Sequence, residues 1–320
     1  MTATVREYYS TDASAPTLNG TAGSLLTVLS ACLVNGYGSR TAAGWTEQYT
    51  GTNKKAYRTA TGQSCRPVLR VDDSNAQESR LVMYGTMSDV DTGTDPIPTS
   101  AQLSGGFFGR KSNTADATAR PWKIIACEYF VYIFFEPGVT TIDTATGETP
   151  MFMAGVFPTE KSGDAWNYCA KGSGATGAAQ ATGGALTGKS GTSFTATANF
   201  YLARAYTQSG SSIQGALHSK SSLQLSALGT GGMIYPDPIT GGLRTAQVQI
   251  AEADNGTSNY VDRGLLPGLW NVLHNLPAAK GDTFGGTGDL AGKTFRLCAC
   301  TSNGSTEGRL AIETSGSWGL

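Results

Sequence analysis

Short runs of β-branched and aromatic residues, each closed by Gly, Thr, Asp or Asn, follow one another along most of this chain. A run that short, bounded by turn formers, suits a strand and leaves little room for a helix. The pattern predicts a mainly β fold: antiparallel sheets in a β-sandwich or barrel-like arrangement, with long loops. Glycine accounts for 42 of the 320 residues, as expected where turns are frequent. A chain of this length can bury a core as one large β domain or as two smaller ones.

The predicted strands begin at residues 3–10, followed by a turn-rich link. Further runs fall at 44–50 and 55–61, joined by the hairpin-like Gly51-Thr52-Asn53, then at 66–71 and 80–87. Pro121–Cys127 and Tyr129–Phe135 form an aromatic-rich pair placed deep in the core, closed by the turn Glu136-Pro137-Gly138. Residues 150–157 read as another buried strand, and 161–166 as the start of a short helical turn. Later strands are expected at 194–206, 222–228, 246–252, 293–301 and 309–313. One helix stands out at 23–34, where Leu25, Leu26, Leu29, Leu33 and Val34 make an apolar stripe, Ser24 is placed to cap the start, and Asn35-Gly36 signals the end. Residues 170–192 are rich in Gly, Ala, Ser and Thr with no apolar period, which predicts a flexible loop or linker. It divides the chain into 1–169 and 193–320, two β-rich domains or parts of a single continuous one. Leu265 to His274 reads as a compact apolar loop, buried against its own domain or a neighbour. Leu265, Leu266, Leu269 and Trp270 are its candidate assembly-interface residues.

Charge narrows the function. Lys and Arg number 23 against 24 Asp and Glu, and only 15% of residues are charged. A protein that tracks nucleic acid carries a basic excess or stripe; here the densest basic spots, Lys54–Lys55 and Arg110–Lys111, read as solvated loop pairs. The surface must be covered largely by hydroxyls, amides and glycine, which suits copies packed closely without charge repulsion and equally suits an exposed β protein. The longest apolar run, Ile124–Phe135, is interrupted by Glu128 and is too short to span a bilayer. The first residues carry no apolar signal-peptide core, which predicts synthesis in the cytoplasm without export. The six cysteines are scattered and lack metal-ligand spacing, so buried reduced thiols are expected, with a disulfide or metal as the alternative.

Motifs of chemistry are few. Gly183 to Ser190 fits the P-loop pattern, but a P-loop needs a strand before it and a helix after it. A Gly/Ala stretch precedes this one and a strand-like run follows, so it reads as a chance match. Asp89, Asp91 and Asp95 are close enough in sequence to suggest a hard cation, yet Asx turns account for them, as a turn accounts for Asp72-Asp73. His218 and His274 lack a nucleophile elbow, and His274 reads as a packed histidine donating to a carbonyl. Asn19, Asn255 and Asn303 sit in glycosylation-like triplets that read as turns. No catalytic residue, cofactor site or metal site is predicted.

Several stretches together resemble a family of tailed-bacteriophage virion proteins. They are Tyr9-Ser10, Ala15–Gly20, Gly23–Leu26, Ala31–Gly38, Gly44–Thr46, Gly51–Lys54, Leu69–Asp73, Met87–Gly93, Ala119–Trp122, Arg263–Trp270, Leu273-His274, Gly292–Phe295, Arg309-Leu310 and Trp318. They are spread along the chain from Tyr9 to Trp318 and leave out 170–192. The resemblance implies a non-enzymatic, multicopy building block of the particle. It would be made in the host bacterial cytoplasm, located in the virion, and bound to copies of itself and to other virion structural proteins, with no nucleic-acid or membrane partner. A neck, tail or baseplate ring is the expected place. Two alternatives stand beside it: a capsid-surface decoration protein, and a carbohydrate- or receptor-binding module on a baseplate or fibre, stacking sugars on Trp45, Trp166 or Trp318.

Overall fold

The computed structural model describes residues 2–138, 151–174, 193–196, 199–220, 234–239, 241–253, 260–274, 278, 280–299 and 309–319. The N-terminal strands are β1 (Thr2–Thr4), β2 (Arg6–Tyr9), β3 (Thr46–Gly51), β4 (Lys54–Arg58), β5 (Val68–Asp72), β6 (Glu78–Tyr84), β7 (Thr86–Met87), β8 (Gly93–Thr94) and β9 (Phe107–Arg110). The middle of the chain gives β10 (Trp122–Ala126), β11 (Phe130–Phe135), β12 (Met151–Val156), β13 (Tyr168–Lys171), β14 (Ser193–Ala196) and β15 (Phe200–Leu202). Then follow β16 (Ile213–Lys220), β17 (Thr245–Ala253), β18 (Tyr260–Val272), β19 (Thr283–Gly285), β20 (Thr294–Ala299), β21 (Arg309–Glu313) and β22 (Ser317–Gly319). Among the described residues one α-helix, α1 (Ser24–Ser30), runs on into a wider π-type turn at Ala31–Asn35, and a short 3-10 turn spans Gly288–Leu290. The fold is mainly β with antiparallel sheets, and no helix among the described residues is long and apolar enough to cross a membrane.

The near-continuous apolar character of β10, β11 and β12 has a simple cause: both faces are buried. Successive side chains of a strand point to opposite faces. Ile124, Ala126, Val131, Ile133, Phe135, Phe152 and Ala154 face one core, together with α1 and the inner residues Tyr57, Leu69, Leu81 and Met83 of a five-stranded sheet ordered β3-β4-β5-β6-β9. Ile125, Phe130, Tyr132, Phe134, Met151, Met153 and Val156 face a second core, shared with Val248, Ile250, Leu266, Leu269, Leu310, Ile312 and Trp318 from the C-terminal strands. Strands β10 to β13 are therefore the middle of three layers.

Those middle strands belong to a long ladder ordered β19-β20-β21-β18-β17-β16-β15-β13-β12-β11-β10-β2. The ladder passes directly from β13 to β15 through Cys169↔Leu202 and Lys171↔Phe200, so the first two residues of the expected linker, Ala170 and Lys171, are strand and not loop. Of that segment, residues 175–192 lie outside the described residues, and so does the predicted strand at 222–228. The ladder curls until its ends meet. Arg296 of β20 bonds Glu7 of β2 at 2.7 Å, and β1 pairs with β22 through Ala3↔Trp318. This closure splits the predicted first strand in two: Val5 turns its N–H to Gly316 O at 3.1 Å.

Two local expectations change. Ser24 does not cap α1; its hydroxyl donates to Asn19 O, and the helix starts from Gly23 in a left-handed conformation, φ 82°. The cap comes from across the core, where Asp73 Oδ2 accepts the Leu25 N–H at 2.9 Å. The apolar segment 265–274 is no loop: through Val272 it is part of β18. Pro267 and Gly268 mimic a turn in sequence, and the strand absorbs them as an irregularity. Its pairing with β17 jumps from Gln247↔Trp270 to Gln249↔Leu265, while Leu269 pairs with Ile312 on the other side. Gly268, at φ 66°, lies against the Trp318 indole, where a Cβ would stand 2.1 Å from Nε1.

Candidate functional site

The candidate interface residues are placed mostly inside. Leu266 and Leu269 are fully buried in the second core, and Leu265 is half-buried. Trp270 is half-buried on the opposite face of β18, edge-on to Phe295 with ring centroids 5.9 Å apart.

The acidic residues do not converge. Asp91 is bound by Arg70 at 2.6 Å and Lys54 at 2.9 Å, and Asp95 is paired with Arg204. Asp89 accepts the Asp91 N–H at 2.8 Å in an Asx turn. No group of three or more His, Cys, Asp or Glu placed to hold a metal occurs among the described residues. Asn19 makes an Asx turn of the same kind, accepting the Thr21 N–H at 3.1 Å. Asn255, Asn303 and the P-loop-like 183–190 lie outside the described residues.

Asp73 and Lys111 depart furthest from their sequence reading. Neither is in a solvated turn; both are fully buried and ion-paired with each other. Ser79 Oγ donates to the same carboxylate at 2.5 Å, and Lys111 Nζ also reaches Thr21 O at 2.7 Å. Burial pushes the Asp73 carboxyl up and the Lys111 ammonium down, while each partner pulls the other back toward its charged form. Lys54 and Lys55 likewise sit on β4, half-buried and paired with Asp91 and Glu47.

A second buried cluster had no counterpart in the sequence reading. Arg263 on β18, 1% exposed, binds Asp164 Oδ2 at 2.9 Å and Glu252 Oε2 of β17. Arg263 also donates to Arg204 O at 2.9 Å, Trp166 N–H donates to Asp164 Oδ1 at 2.9 Å, and Tyr206 N–H donates to Glu252 Oε1 at 2.6 Å. One guanidinium thus ties the 159–166 segment, β17, β18 and the turn after β15. The signal was faint: isolated charges scattered over almost a hundred residues of sequence. The neighbouring Gly264, φ 140°, lets the 158–160 segment lie on β18, since a Cβ there would stand 2.0 Å from Pro158 O. Gly264→Ala should therefore lower stability by about 1–3 kcal/mol or more, read as a drop in the thermal midpoint.

Two of the three tryptophans expected to stack sugars are closed off. Trp45 and Trp318 are 2% and 1% exposed and donate to Cys127 O and Glu313 O. Half-buried Trp166 has the Arg204 guanidinium 3.9 Å above its ring. His274, 2% exposed, is packed, with Nδ1 donating to Ile234 O at 2.8 Å.

Cys32, Cys127 and Cys169 are buried free thiols and Cys65 is a half-buried one, while buried Cys298 donates to Leu310 O at 3.5 Å. Desolvation pushes Cys65 and Cys127 up to about 12. Thiolate is the reactive form, so a Cys300→Ser variant at about pH 8 should be inert to a disulfide reagent when native and expose its other five thiols when denatured. Rapid modification of the native protein would contradict this packing.

A scan against protein-family models and a search of curated proteins each return no match.

Proposed function

We propose that this chain is a structural component of a tailed-phage virion, present in many copies and assembled through protein–protein contacts in a symmetric ring at the neck, tail or baseplate. The supporting observation is where the residues of the resemblance stand. Asp73 caps α1, Trp122 and Trp45 fill the first core, and Arg263 ties the buried ion cluster. Gly268 makes room for Trp318 in the second core. These residues hold an architecture together, and they do not gather around one cavity. Of the acids a hydrolase would draw on, Asp72 and Asp91 both pair with Arg70, at 3.3 and 2.6 Å, and Asp89 is the acceptor of an Asx turn.

On this account the chain performs no turnover and binds copies of itself and neighbouring virion proteins. Antibody labelling of intact particles tests its location. Labelling at one ring of the neck, tail or baseplate is the expected result. Labelling spread over the head surface would favour the decoration alternative, and unlabelled particles would remove the virion assignment.

A further inference from the structure

Three side chains able to move a proton or form a bond are enclosed together at one end of the five-stranded sheet. Asp73 follows β5, Ser79 is in β6 and Lys111 follows β9, and all three are fully buried. Their backbones are fixed. Asp73 N–H donates to Asn53 O at 2.8 Å, Asp73 O accepts the Gly23 N–H at 3.0 Å, and Lys111 N–H donates to Gln77 O at 3.0 Å. The two oxygens of the Asp73 carboxyl have different partners. Oδ1 meets Lys111 Nζ and accepts the Ser79 hydroxyl at 2.5 Å, whereas Oδ2 accepts the Leu25 N–H at 2.9 Å. Lys111 Nζ also donates to Thr21 O at 2.7 Å, which holds the amine against the carboxyl group.

In water an amine and a carboxylic acid do not condense, because both are stable as solvated ions. Enclosure removes that protection. Burial raises the Asp73 carboxyl and lowers the Lys111 ammonium, and both shifts favour the uncharged forms. An uncharged amine has the lone pair of a nucleophile, and an uncharged acid has a hydroxyl that can depart. Held in contact, the two react as parts of one molecule and not as two solutes. An amide in their place would bury no charge at all. Other pairs lack these conditions. Lys54 with Asp91 and Lys55 with Glu47 are open to solvent, and the buried guanidinium of Arg263 stays protonated and cannot attack its carboxylates.

We infer that Lys111 and Asp73 condense in the folded core, without a cofactor, into an amide between Nζ and Cγ. Lys111 Nζ attacks Cγ with its lone pair, and the charge gathering on Oδ2 is met by the Leu25 N–H. The Cγ–Oδ1 bond then breaks. Oδ1 keeps the proton of the acid, takes a second one from Nζ through the Ser79 hydroxyl, and leaves as one water. Nothing is oxidised or reduced, and no co-reactant is consumed. Oδ2 remains as the amide carbonyl, still accepting from Leu25. The product joins the chain just past β5 to the chain just past β9, 38 positions apart. It does not depend on whether the chain belongs to a particle.

The mass of the purified, denatured chain tests the bond. The parent should weigh one water less than its sequence requires, and its tryptic digest should contain one peptide joining the segment of Asp73 to that of Lys111. Lys111→Arg keeps a cation without a nucleophile and should have its full sequence mass. Ser79→Ala, shown to be folded by circular dichroism and sampled at intervals after synthesis, should lose the water at least about tenfold more slowly. A parent at full sequence mass, a water lost without the joined peptide, or a Lys111→Arg chain that still loses it would each overturn the bond. A Ser79→Ala chain as fast as the parent would overturn the proton route through Ser79.

Discussion

Replacing Arg263 by Met should cost about 3–5 kcal/mol of stability, a large part of the 5–15 kcal/mol typical of a whole domain. The loss does not come from the ion pairs as such. A buried pair gains little over a well-packed apolar group, because both charges must leave water. Removing the cation alone leaves Asp164 and Glu252 buried, 1% exposed each, with a charge that nothing offsets. Arg263→Lys keeps the charge but loses the fork that reaches two carboxylates and Arg204 O at once, so it should fall between parent and Met variant. A triple variant with Asp164 and Glu252 also made apolar should recover much of the loss. Urea midpoints of the four proteins decide it. An Arg263→Met variant within about 1 kcal/mol of the parent would mean that the cluster is not the tie between these segments.

The second large effect is expected at Lys111. Lys111→Met leaves the Asp73 carboxyl fully buried with Ser79 Oγ and the Leu25 N–H as its remaining donors. The loss of the cation alone should again cost about 3–5 kcal/mol near neutral pH. Its pH dependence follows from burial, which raises Asp73 above its ordinary 3.8 and acts unopposed by a cation once Lys111 is gone. An acid whose folded pKa lies above its unfolded value contributes stability that is whole below the unfolded value. That contribution is lost as pH rises through the folded one. The variant should therefore be closest to the parent in mild acid and furthest from it at neutral and alkaline pH. Lys111→Met/Asp73→Asn should abolish that pH dependence and regain part of the stability. The shortfall that remains includes the weaker cap on α1, about 1 kcal/mol. A Lys111→Met penalty that is flat with pH would contradict the burial of Asp73.

Both effects lie where the sequence was least informative. The hairpin-like Gly51-Thr52-Asn53 before Lys54–Arg58, the apolar runs at Trp122–Ala126 and Phe130–Phe135, and the stripe of leucines at Ser24–Ser30 are local patterns, and local patterns show in sequence. What does not show is which distant residue completes a local need. The N–H groups at the start of α1 call for a cap, and Ser24 was the nearest candidate. The fold supplies Asp73 instead, 48 positions away. Arg263 and Asp164 meet across 99 positions, so spacing carries no trace of them. Pro267 and Gly268 argued for a loop because each is poor in a regular strand. Their tolerance depends on a break in pairing that β17 and β21 together make possible. The candidate interface at Leu265–Trp270 followed from the same loop reading. Once the segment is a strand, Leu266 and Leu269 turn inward, and exposed apolar surface is found on the turn at Ile234–Ile239. That turn gave no sequence signal, since two isoleucines among prolines and glycines look like any other loop.

Quantitative mass spectrometry of purified particles tests the central claim most directly, by giving the number of copies of this chain per particle. The account predicts a fixed copy number greater than one, the same from one preparation to the next, as closed symmetric assembly requires. Particles that lack the chain, or carry it in a variable amount below one copy each, would contradict it.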